Sequence, residues 1–227
     1  MPEHLLKMKS FDINVDGHCL FVKQFCHIVR DNGTKSAPRP VLVMLHEALG
    51  CVSMLRDVPE KIAGLTGYDI LVYDRLGHGQ SDPLPYSHIH ESYMFDEAWK
   101  VLPGVMDRCN VPKALLWGHS DGGTMAILFA ARFPDRVSGL ITEAAHVYVD
   151  QLTIQGIKKT VDAWAKTDLR KKLKRYHGDN IDGIFNRWRK VWLADTFFSW
   201  NIESYLASIK CPALVLQGED DQYGLPG

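Results

Sequence analysis

"LLWGHSDGGTMAILFAARFP", Leu115 to Pro134, sets one serine between an apolar run and a helical pattern, with Gly118 two residues before it and Gly122 two after. The run before Ser120 predicts a strand. The spacing of Met125, Leu128, Phe129 and Phe133 predicts a helix with one apolar side, stopped by Pro134. A serine in Gly-x-Ser-x-Gly between strand and helix sits on a turn sharp enough to strain its backbone. Side chains at the flanking positions would collide with neighbouring backbone, hence the two glycines. The following helix aims its first N–H groups at the turn, where they stabilise negative charge. On this reading Ser120 is a nucleophile.

Outward from that stretch, "SFDINVDGHCLFVKQF" (Ser10 to Phe25) alternates apolar and polar residues on either side of Asp16-Gly17, which predicts an antiparallel hairpin with a tight turn. A polar connector from Arg30 to Pro40 follows. Then "VLVMLHE", "DILVYDR", "KALLWGHS", "VSGLITEA" and "CPALVLQGED" are short apolar runs separated by helical stretches. Runs apolar on both faces and alternating with helices predict parallel strands of a covered sheet, so the fold class is α/β. "FDEAWKVLPGVM" (Phe95 to Met106) has the spacing of an amphipathic helix that Pro103 would kink. From Val147 to Leu206 the strand rhythm stops and the chain becomes helical and aromatic, too long for a loop. The expected organisation is a core over 1–146, a helical lid over 147–206, and a return to the core over 207–227. The lid carries eleven lysines and arginines against seven acids. Its basic stretch "KTDLRKKLKRYHG" is read as a solvated helix face.

The whole chain has 227 residues, 46% of them apolar, with 26 basic against 27 acidic side chains. Near-neutral charge gives no reason to expect a nucleic-acid or membrane-surface partner, so a small-molecule substrate fits better. Five scattered cysteines without CxxC or metal-ligand spacing argue for reduced thiols in a cytosolic setting, with neither zinc nor a disulfide framework. No signal peptide or membrane span is readable.

The chain resembles the α/β-hydrolase family. "MLHEALG" (Met44 to Gly50) is similar to the family's His-Gly-x oxyanion loop, "YDRLGHGQSD" (Tyr73 to Asp82) to its Asp-x-Arg-Gly-x-Gly-x-Ser loop, and "GHSDGG" to its nucleophile elbow. "LVLQGEDDQYG" (Leu214 to Gly224) resembles the strand and loop that carry the triad acid, which the spacing from Gly218 places at Asp221. The resemblance implies a sheet with helices on both faces and a helical lid. It also implies backbone N–H donors for an oxyanion from Ala48, or Leu49, and from Asp121, with no metal or organic cofactor. Glu47 replaces the usual glycine, which leaves the first donor less well defined. The Asp121 carboxylate would favour a cationic group on the substrate.

A serine hydroxyl needs a general base oriented by a carboxylate. The family's histidine lies well beyond the acid, whereas only six residues follow Asp221 here, so the final strand, histidine and helix are expected to be absent. His119 is expected to point away from the serine, and His46 and His78 to be structural. His4, His18, His27, His88, His90 and His177 have no triad spacing. His146 is the one histidine expected near the cleft and the substitute base to consider. Glu143 and Asp150 are expected to support the lid junction. If no histidine replaces the base, the chain is expected to be nearly inactive, since losing that residue costs about 10⁴-fold or more in turnover. The apolar "ALVLQG" would then form a sheet edge open to another chain.

The leading reading is a serine hydrolase acting on carboxyl esters through an acyl-enzyme. Serine at the elbow argues against epoxide hydrolase or haloalkane dehalogenase chemistry, which use aspartate. A noncatalytic binding protein and a C–C bond or amide hydrolase on the same scaffold are the alternatives. The sequence names neither a substrate nor an oligomeric state.

Overall fold

A computed structural model describes residues 6–28, 39–85 and 90–224. Strands β1 (Leu6–Val15) and β2 (His18–His27) pair antiparallel across a turn whose central residues, Asp16 (φ 51°) and Gly17 (φ 85°), are both left-handed. Two such residues match the twist of the flanking strands. Most of the connector from Arg30 to Pro40 lies outside the described residues, as do His4 and His88. Strands β3 (Val41–Leu45), β4 (Asp69–Tyr73), β5 (Ala114–His119), β6 (Val137–Glu143) and β7 (Ala213–Leu216) complete one seven-stranded sheet in the order β1-β2-β4-β3-β5-β6-β7. From β4 to β7 all pairings are parallel, and β2 joins β4 antiparallel.

Helix α1 (Val58–Thr66) connects β3 to β4. Between β4 and β5 the chain forms α2 (Tyr93–Asp96) and α3 (Leu102–Arg108), joined by a π-helical turn, Glu97–Val101. The kink expected at Pro103 is thus replaced by a widened turn just before it. Widening absorbs the missing N–H and the clash of the ring with the preceding turn. Helix α4 (Asp121–Arg132) follows β5, and residues 121–130 are all buried. The one apolar side expected from the sequence understates this. Ala126, Ile127 and Ala130, small or apolar residues off the predicted stripe, let α4 bury all round its first turns.

Between β6 and β7 lie α5 (Gln151–Lys166), α6 (Leu169–His177), α7 (Ile181–Trp192) and the short α8 (Glu203–Leu206). Asp150 caps α5, accepting from Thr153 N at 2.7 Å and from its Oγ1 at 2.8 Å, a structural role at the junction as expected. The basic face of α6 is exposed, with only Leu173 and His177 buried, and Lys172, Lys174 and Arg170 pair with Asp168, Asp179 and Asp182. Trp164 stacks on Phe185 with centroids 3.8 Å apart, tying α5 to α7. Strand β7 is exposed along its whole length, Val215 to 72%. Among the described residues no helix is long and apolar enough to cross a membrane.

Candidate active site

Strand β5 delivers Ser120 to its C-terminal end, where the backbone turns with φ 51° and ψ −121°. Few side chains adopt that conformation, and it persists only where surroundings enforce it. Ser120 N donates to Glu143 O on β6 at 2.8 Å, and Thr124 N at the start of α4 donates to Ser120 O at 3.0 Å. A Cβ on Gly118 would stand 2.1 Å from Gly122 O, and one on Gly122 would stand 2.2 Å from Leu45 O. Strand β5, helix α4 and the loop after β3 approach too closely for any side chain there.

Ser120 faces a cavity of about 280 Å³ that Ala48, Asp121, His146 and Asp221 also line, so the residues singled out in the sequence come together. Trp188 and Trp192 of α7 form an apolar wall. The Ala48 N–H makes no backbone hydrogen bond among the described residues, and the Asp121 N–H belongs to the open first turn of α4.

The Asp221 loop is firmly held. Asp221 accepts from Gln217 Nε2 and from Tyr223 N, both at 2.8 Å. Tyr223 anchors the loop to α5: its carbonyl lies 2.7 Å from Thr153 Oγ1, whose single proton it shares with Asp150, and its hydroxyl meets Thr160 Oγ1 at 2.5 Å. His146 lies against Trp192 and directs Nε2 at the Tyr223 carbonyl, 3.1 Å away. With the proton on Nε2, the lone pair is on Nδ1, which is buried without a partner. No hydrogen bond joins His146 to Ser120 among the described residues.

Two expectations are corrected. His119 lines the same cavity instead of turning away, its Nδ1 4.0 Å from Glu47 Oε2. As the last residue of β5 it alternates outward to the rim beside Glu47. The Asp121 carboxylate is not offered to a cationic substrate group. It is 2% exposed, accepts from Tyr93 Oη at 2.5 Å and lies 4.0 Å from Arg75. Burial and that carboxylate hold the Tyr93 hydroxyl well above its usual range, so it remains a donor.

His46 and His78 are structural, as expected. His46 Nε2 accepts from Arg75 N at 3.2 Å, and its Nδ1–H donates to Glu47 O at 2.9 Å. His78 Nε2 lies 3.0 Å from Ala48 O and Nδ1 3.1 Å from Leu76 O, a neutral ring donating to one of the two. His177, unassigned by the sequence, reaches from α6 into the same cluster. Its Nδ1 accepts from Gly79 N at 3.0 Å and its Nε2–H donates to Leu49 O at 2.9 Å. Burial lowers the pKa of all three histidines. Tyr93, His177 and Trp192 are beyond sequence reasoning because only the fold brings them to the motifs, whereas Tyr223 lies within the 214–224 stretch and only its contacts to Thr153 and Thr160 are hidden there.

A strained serine at a strand–helix turn, with an aspartate after the last parallel strand, defines the hydrolase class of α/β proteins. The model of the alpha/beta hydrolase fold matches residues 40–189, and the chain belongs to that family. A 2-hydroxy-6-oxononadienedioate/2-hydroxy-6-oxononatrienedioate hydrolase of Burkholderia vietnamiensis is 27% identical over 85% of this chain and 74% of its own. Serine hydrolase BPHL of Homo sapiens is 28% identical over 68% of this chain and 54% of its own. Among solved structures, 2-hydroxy-6-oxo-6-phenylhexa-2,4-dienoate hydrolase from Rhodococcus sp. strain RHA1 shares the fold with a TM-score of 0.73 at 15% identity, over 96% of this chain and 83% of that one.

Proposed function

We propose that the site is that of a serine hydrolase acting on carboxyl esters of small molecules. Ser120 Oγ attacks the acyl carbon, and the alcohol leaves with a proton. Water then releases the acid from the acyl-serine. The Ala48 and Asp121 N–H groups stabilise the tetrahedral oxyanion, Asp221 is the acid of the site, and the inserted helices over 147–206 act as a lid. The single observation that carries this reading is the strained Ser120 backbone, facing a cavity lined by three acidic residues and two histidines. Within the 227 residues His146 is assigned as the substitute base, and its ring must turn from the Tyr223 carbonyl to bring a nitrogen to Ser120.

The test is labelling by a fluorophosphonate, read as intact mass. Ser120 is expected to be labelled and Ser120→Ala to remain unmodified. Absence of labelling in well-folded protein would leave the fold with a binding role instead. A His146→Ala variant labelled as fast as the parent would move the base to another chain or to sequence beyond these residues.

A C–C bond hydrolase on the same scaffold is the second reading, favoured by the similarity to the Burkholderia enzyme. It uses the same serine. Turnover of a vinylogous diketone acid but not of simple esters would select it.

A further inference from the structure

Resting on the assignment of Ser120 as nucleophile, we infer that the inserted helices brace both oxyanion donors, one through His177 and the other through Trp192 and Tyr93. Helix insertion and catalytic geometry are then one unit. His177 and Tyr93 are positioning residues.

The first brace follows from the geometry of the peptide unit, in which the C=O of one residue and the N–H of the next are coplanar and opposed. The direction of the Ala48 N–H is therefore set by whatever holds the Glu47 carbonyl. Three groups do so: His46 Nδ1–H at 2.9 Å, Arg75 Nη2 at 2.6 Å and Gly50 N at 3.1 Å. The Gly50 N–H in turn shares a peptide unit with the Leu49 carbonyl, which accepts from His177 Nε2–H. A pull on Leu49 O by α6 is thus relayed through Gly50 and Glu47 to the Ala48 N–H. The tautomer of His177 is fixed, because its Nδ1 accepts from Gly79 N. The imidazole spans two loops and is 2% exposed, so water cannot replace it cheaply.

The second brace runs from α7. Trp192 Nε1–H donates to Tyr93 Oη at 3.0 Å, and Tyr93 O–H donates to Asp121 Oδ2. Asp121 is the residue whose N–H is the other donor, and its buried carboxylate has one hydroxyl partner, oriented from the insertion. The Arg187 guanidinium, also on α7, lies 5.0 Å above the Tyr93 ring and fixes its plane.

An oxyanion exists only in the transition state, so loss of a brace lowers kcat and leaves KM nearly unchanged. The experiment uses the full chain with His177→Leu, His177→Gln and Tyr93→Phe. Neither residue lines the cavity of Ser120. Hydrogen–deuterium exchange is followed at residues 46–50, 79 and 119–124, together with p-nitrophenyl ester hydrolysis. In His177→Leu, exchange at Gly50 and Gly79 is expected to rise at least about tenfold with the β1–β2 hairpin unchanged. Glutamine, which offers both an acceptor and a donor, should restore most of the protection. Tyr93→Phe should loosen 119–124 alone. Where turnover is measurable, kcat should fall by up to about 100-fold with KM within about twofold. Unchanged exchange at 46–50 in His177→Leu, or KM rising as far as kcat falls, overturns the brace. If His177→Leu does not fold, loss of protection in the folded glutamine variant at Gly79 but not at Gly50 overturns it too. Exchange needs no reactive serine. Loosened loops in a chain whose Ser120 takes no label would uphold the brace and reject the hydrolase.

Discussion

At Ser120 the backbone conformation and its two glycines form a single device, and it was readable because all its parts lie within five residues. The collisions that a Cβ would meet at Gly118 and Gly122 are with backbone, which cannot swing aside. Gly122→Ala is expected to destabilise the fold by about 1–3 kcal/mol, seen as a lower midpoint in urea. A midpoint within error of the parent would mean that β3 and α4 can separate. The histidines were legible only in part. His46 and His78 sit in recognisable loops, but His177 shows its role only when α6 reaches them. Their titration gives a signed prediction. Unfolded imidazoles titrate near about pH 6.5 and the folded ones lower, so below that pH the unfolded chain binds more protons. Stability is complete above about pH 6.5 and falls as pH drops, by up to about 1.4 kcal/mol per pH unit for each histidine. Burial raises Glu97 and Asp74, which act in the opposite sense at lower pH, near the carboxylate range. Urea denaturation at about pH 7 and 5.5 should show the loss, and His177→Gln should reduce it; equal stabilities would place the rings in water.

Among the elements, alternation and apolar runs gave the strands well, because each strand's pattern is local. Helices were harder. The sequence separates polar from apolar positions but not what later covers them, so the all-round burial of α4 was missed. The π-turn before Pro103 was read as a kink because composition marks the breaker, not how the chain relaxes around it. At the junction, Asp150 supplies both the cap of α5 and the anchor of Thr153, which holds the Tyr223 carbonyl. Asp150→Ala should cost about 0.5–2 kcal/mol in thermal unfolding. It should also loosen the Asp221 loop, seen as faster exchange at the Tyr223 amide. Loss of stability with that amide unchanged would confine the effect to the helix.

For the molecule as a whole, the order of the four motifs was enough to anticipate the sheet, since parallel strands joined by helices leave few arrangements. The site is only half legible: Ser120, Asp221 and the Ala48 and Asp121 amides lie in contiguous motifs, while Tyr93, His177 and Trp192 come from segments far from them in sequence. Strand β7 leaves Leu214, Val215 and Leu216 exposed at 52%, 72% and 41%. An apolar edge invites another strand, so the 227-residue chain should associate with rising concentration in sedimentation velocity, and Val215→Lys should suppress it. Sedimentation independent of concentration would contradict this. The placement of β7 also has a kinetic consequence. The β1–β2 turn joins neighbours in sequence, and such hairpins close in about 1–10 μs. The pairing of Leu140 with Ala213 must wait until the whole of α5 to α8 has been gathered between them. Long closures come late, so the Asp221 loop, which follows β7, is expected to be the last part of the site to assemble.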